Sequence, residues 1–160
     1  MLCLGRVRLL TIVWLGLAAC SPAPPPQPAM QLSISVDADA NDAVELVAGA
    51  QGGFHVWLRY ALSGDLPAET VTLQRRAERV ADQQAVLHLD TLVSLPAQAS
   101  DTIPMFMCPT PIGLSIIDER LALSLAVVDA AGVELARAAL EVVPGCPAGQ
   151  LDFCRRICSG

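Results

Sequence analysis

The chain has 160 residues with 10 basic, 16 acidic and 2 histidine side chains, a formal net charge of −6. Every basic residue is arginine, and an acidic surface of this kind offers no electrostatic footprint for nucleic acid or for anionic lipid. The length suits one domain with room for a proper hydrophobic core.

Arg6 and Arg8 precede the apolar run Leu9 to Ala19. A bilayer-spanning helix needs about 20 apolar residues, so this segment is expected to be a secretory signal, residues 1–19, that is removed. It ends Leu17-Ala18-Ala19-Cys20. Leu17 fits an ordinary signal-peptidase site poorly at position −3, and the four residues instead resemble the lipobox of bacterial lipoproteins. That resemblance implies cleavage before Cys20, a thioether-linked diacylglycerol on its sulfur and an acyl chain such as palmitate on the new amino group. A thiol is required there because its thiolate is a strong nucleophile. Several acyl chains anchor a protein stably where one does not. Ser21, in place of an Asp, implies an outer-membrane address in a bacterial cell envelope.

Removing Arg6 and Arg8 leaves 8 basic against 16 acidic residues, a mature net charge of −8. Prolines at 22, 24, 25, 26 and 28 exclude helix and central strand. Residues 20–30 are therefore read as a lipidated cysteine followed by an extended, polyproline-like tether, reaching on the order of 30 Å.

Two-residue alternation dominates the chain beyond the tether. In the run from Phe54 to Leu62, Phe54, Val56, Leu58, Tyr60 and Leu62 share one face and His55, Trp57 and Arg59 the other. A second run begins at Val71 and Leu73 and turns charged at Arg75, Arg76, Glu78 and Arg79, which suggests an exposed or edge strand. Further strands are expected at 31–36, 44–47, 86–89, 114–117, 121–127 and 133–143. Asp129-Ala130-Ala131-Gly132 supplies a hairpin turn before the last of these. Beyond the signal, no long stretch has a convincing helical period. The expectation is all-β: an immunoglobulin-like antiparallel β-sandwich of about seven strands over residues 31–145. The Cys-Trp-Cys order of true immunoglobulin domains is missing, because the cysteines of this region all follow Trp57.

Cys3 leaves with the signal and Cys20 carries lipid, so Cys108, Cys146, Cys154 and Cys158 remain. An even number in an exported domain argues for two disulfides, for which three pairings exist. Spacing does not choose among them. Cys108 is expected to reach the Cys-rich tail, residues 146–160, because a free thiol there would be a liability outside the cell. A zinc knuckle fits less well: Cys154 and Cys158 are suitably spaced, but Cys146 and Cys154 are too far apart to form a second pair.

Two constellations bear on function. His55, Trp57 and Arg59 could form an exposed aromatic and cationic strip for a glycan or an envelope protein. Met105, Met107 and Cys108, placed in a loop between Pro104 and Pro109, offer soft sulfur ligands that suit Cu(I), with His55 or His88 completing a site. The plainer reading of that loop is two methionines covering an open core edge beside a disulfide. The motifs of nucleophilic, phosphate-binding or HExxH chemistry do not occur, so neither an enzyme nor a cofactor is expected. Gly-Gly-Phe-His-Val-Trp within Gly49 to Arg59, together with the Cys-rich ending, resembles envelope lipoproteins of myxobacteria over those short stretches. That resemblance implies an envelope setting and brings no activity with it. The expected function is a non-catalytic, lipid-anchored binding or structural module, with metal handling through the Met-Cys segment as the alternative.

Overall fold

A computed structural model describes residues 30–64, 70–96, 98–111 and 113–160. The expected signal segment, Cys20 and the expected tether as far as Ala29 lie outside the described residues. The described chain is an all-β sandwich of two open sheets with one short helix at its end.

The first sheet is built on β4 (Phe54–Ser63). β7 (Ala99–Cys108) flanks β4 on one side, and β1 (Gln31–Ser35) and β3 (Val47–Ala48) share the other. The second sheet runs β2 (Ala43–Glu45), β9 (Glu134–Gly145), β8 (Leu121–Val128), β5 (Thr70–Arg79) and β6 (Ala85–Ser94). Pairings are antiparallel except β2 with β9. Alternation sends Phe54, Val56, Leu58, Tyr60 and Leu62 inward from β4. These residues meet Leu121, Leu123, Leu125 and Val127 of β8 in one core.

Among the described residues nine strands form rather than about seven. The addition that matters most is β7, which includes the Met-Cys segment that its flanking prolines mark as a loop. Pro104 has no N–H to give a ladder, but among the described residues β7 is an edge strand paired only with β4, so that loss is tolerated. Conversely, 114–117 forms no strand. Leu114 and Ile116 are buried there, but the backbone is held by other partners: the Ile116 N–H donates to the Cys158 carbonyl, and the Asp118 N–H to that of Pro144.

β5 is not an edge. It lies between β6 and β8, and its arginines are accommodated by their length. Arg76 reaches Asp90 at 2.6 Å on the outer face. Arg75, on the inward-facing side, runs to the sandwich margin, where its guanidinium donates to the Pro104 carbonyl at 3.0 Å and to the Thr91 hydroxyl at 2.7 Å. It thereby ties β5 and β6 to β7 and occupies a carbonyl on the open edge of β7.

The β8–β9 hairpin forms at the expected turn. The Asp129 Oδ1 accepts from the Ala131 and Val133 N–H groups, and Gly132 adopts φ 82°, a left-handed value that glycine reaches without steric cost. Past β9, a 3-10 turn (Ala148–Gln150) leads into α1 (Leu151–Cys158). This helix leaves no legible period in the sequence because it is barely two turns long. Cys154 and Cys158, one turn apart, are its buried residues, while Asp152 in the first turn and Arg155 and Arg156 in the last complement its dipole. The structure pairs Cys108 with Cys158 and Cys146 with Cys154, so the tail is stapled to the end of β7 as expected.

Candidate binding cleft

Strand register decides which side chains share the outer face of the first sheet, since residues directly opposite in an antiparallel pair point the same way. Trp57 lies opposite Pro104, and His55 opposite Phe106 and Val47. Further along, Arg59 is opposite Thr102 and Ser35, and Ala61 is opposite Ser100 and Ser33. One end of the face is therefore aromatic and apolar, the other small and polar. The polar end carries a shallow depression of about 620 Å³, where Arg59 is already paired with Asp37.

The aromatic end is a cleft of about 690 Å³. The turn from Ala48 to Gly53 forms one wall, Val86 and Leu87 of β6 another, and Trp57, His55, Pro104 and Phe106 the floor. Trp57 and Phe106 are 44% and 48% exposed, high for large aromatic side chains. None of the lining residues is acidic, lysine or arginine.

Strand alternation alone predicts His55 on the surface beside Trp57 and Arg59. Trp57 and Arg59 are exposed, but His55 is buried. The cause is local. The Gly49 N–H donates to the Gly53 carbonyl at 2.7 Å, folding the turn over the ring, and the register slips between Phe54 and His55. A side chain on Gly53 would come within 2.6 Å of the Cys108 carbonyl oxygen, so only glycine allows β4 to begin this close to the end of β7. The imidazole stands edge-on to the Trp57 ring at 4.6 Å and tilted to Phe106 at 5.9 Å. Neither ring nitrogen has a hydrogen-bond partner among the described residues. Burial pushes the His55 pKa below the ordinary histidine value, because desolvation disfavours the charged form. At neutral pH the cleft is thus uncharged.

The metal-binding alternative meets a different geometry. Met105 and Met107 alternate with Phe106 and point into the core, where both are fully buried. The Cys108 sulfur is committed to Cys158. His55 lies on the outer face of the first sheet, and His88, opposite Arg76, on the outer face of the second. The sulfur ligands and the two imidazoles are not brought together.

Alternation in the sequence finds Trp57 but not its companions Val47, Val86, Leu87, Pro104 and Phe106. Phe106 carries a signal in Met105-Phe106-Met107, which puts it opposite in sense to two core residues. The others come from separate strands, and only the packing of β6 beside β7 unites them.

No family model and no curated protein matches this chain. Solved structures that resemble it include Bacteroides uniformis beta-glucuronidase and a calcium-binding mutant of Bacteroides uniformis beta-glucuronidase 2. Each is 13% identical with a TM-score of 0.47, and the match covers 73% of this chain and 14% of that one. The chain thus spans a small part of those enzymes, and the likeness carries no argument about activity.

Proposed function

We propose that the chain is a lipid-anchored, non-catalytic binding module of a bacterial envelope. In this reading Cys20 carries the lipid, the proline tether gives reach, and the cleft over β4 and β7 receives an envelope protein or glycan. The observation that carries the reading is the open pair Trp57 and Phe106 over an uncharged cleft of about 690 Å³. Ligand sites are typically concave, mostly apolar and about 300–1,000 Å³. Exposed aromatic groups at such a place contribute most of the energy in many interfaces. The antiparallel framework holds these side chains on strands rather than on loops, so little ordering is required on binding.

Two experiments test it. Chemical cross-linking of the tagged protein in its native cells, followed by mass spectrometry, should recover one recurrent partner that Trp57→Ala loses and Arg137→Ala, on the opposite face, keeps. Equal recovery with both variants would place the contact elsewhere. Fatty-acid labelling should mark the wild-type chain and not Cys20→Ala; label on both would remove the anchor from the reading.

A further inference from the structure

The three cysteines of the tail and Cys108 of β7 hold their four sulfurs in one cluster. The Cys154 Sγ, bonded to Cys146, lies 4.0 Å from the Cys158 Sγ, which is bonded to Cys108. Cys154 and Cys158 are fully buried and Cys108 nearly so, whereas Cys146 is partly exposed where β9 gives way to the tail. Of the four, Cys146 is therefore the cysteine that a reagent in solution can approach. Cys154 and Cys158 are also four residues apart on α1, on one face. Residues so spaced on a helix lie about 6 Å apart at Cα, within the span that disulfides bridge. Their Cβ atoms would need to approach by about 1–2 Å, which unwinding of the last turn supplies.

We propose that this cluster is a thiol–disulfide exchange site, entered by a small external thiol at Cys146 and discharged at Cys108. In the first step the external thiolate attacks the Cys146 sulfur. A mixed disulfide forms there, the Cys146–Cys154 bond breaks, and Cys154 leaves as thiolate. In the second step the Cys154 thiolate attacks the Cys158 sulfur 4.0 Å away. A Cys154–Cys158 bond forms within α1, the Cys108–Cys158 bond breaks, and Cys108 leaves as thiolate, to be protonated by water. One thiol enters and one thiol emerges, with two disulfides exchanged and no further oxidant needed. The product releases α1 from the end of β7. Cys108 also lines the cleft, so the exchange acts on the wall of the candidate site.

The experiment exposes the folded, oxidised protein to glutathione, followed by acid quenching, alkylation of free thiols and peptide mapping. The expected species carries glutathione on Cys146, a Cys154–Cys158 bond and an alkylated Cys108. Alkylated Cys154 with the Cys108–Cys158 bond intact would overturn the proposal. So would opening of Cys108–Cys158 first, or no adduct at Cys146. In the double variant Cys146→Ser, Cys154→Ser, alkylation of Cys108 under glutathione should slow at least tenfold; an unchanged rate would also overturn it. The mapping uses the wild-type chain, so its result holds even where the variant folds poorly.

Discussion

The two sheets turn very different outer faces to their surroundings. On the five-stranded sheet, Arg76 meets Asp90, Arg120 meets Asp42 and Glu141, and Arg137 meets Glu134, all near or at the surface. On the four-stranded sheet the polar end has one such pair, Arg59 with Asp37, and the aromatic end shows none among the described residues. Solvated ion pairs contribute little to stability and keep a face wet. The uncharged aromatic end, with open Trp57 and Phe106, has apolar surface to lose on contact. The same fold therefore presents one face laced with ion pairs and one whose aromatic end is open and apolar.

On that contrast, stability should reside in what the faces share, and binding in what they do not. The largest effects are expected in the common core. Leu58→Ala in the first sheet and Leu123→Ala in the second should each destabilise by about 2–5 kcal/mol in urea unfolding, since both side chains are fully buried. A large difference between them would mean that the two sheets do not share one core.

The staples should come next, and unequally. Cys108 and Cys158 are 50 residues apart, Cys146 and Cys154 only 8. Loop-closure entropy scales with that separation, so replacing the first pair by alanine should cost about 4 kcal/mol and the second about 2.5 kcal/mol. The two double variants, compared by denaturant midpoints, check the order.

On the cleft face, Trp57→Ala should change stability by no more than about 1 kcal/mol. It should nevertheless weaken binding of a neutral apolar fluorophore such as N-phenyl-1-naphthylamine at least tenfold. His55 adds a pH signature. Its folded pKa lies below the ordinary value of 6.5, so just below that pH the unfolded chain binds a proton that the folded chain does not. Stability should therefore decline as pH falls from about 6.5 toward the lower folded value. His55→Phe should flatten this slope, and it removes two unpartnered nitrogens from the interior. An unchanged slope would show that another group is titrating.

The smallest effects belong to the salt-laced face. Arg137→Ala should shift the melting midpoint barely, if at all. The Arg137 hydrogen bond holds the Glu134 carboxyl below its ordinary range, and Arg76 does the same for Asp90. Both contributions are complete above the unfolded carboxylate range and are lost as pH falls through the folded values, below about pH 4. Melting curves of wild type and Arg137→Ala should converge there.

Much of the frame is legible from spacing. The inward set of β4, the turn at Asp129 to Gly132 and the Leu-rich face of β8 follow from a period of two and from turn chemistry, both local. Three features escape such a reading for reasons that are not local. Pro104 hides the strand β7, and it is harmless there only because no strand pairs on that edge. The arginines of β5 look like an edge when residue type is read without stem length, whereas Arg75 and Arg76 carry their charge past the sheet to Pro104, Thr91 and Asp90. His55 follows the alternation of its strand, yet the turn at Gly49 to Gly53 closes over it.

By itself the sequence determined the sandwich class, the inward faces of the long strands and the presence of four cysteines to be paired from Cys108 onward, because each rests on a short-range pattern. Tertiary structure decided which cysteines meet, which strand lies at an edge and which outer residues gather into a cleft. Those depend on how segments far apart in the chain pack, and strand alternation says only which way a side chain points, not what it will face.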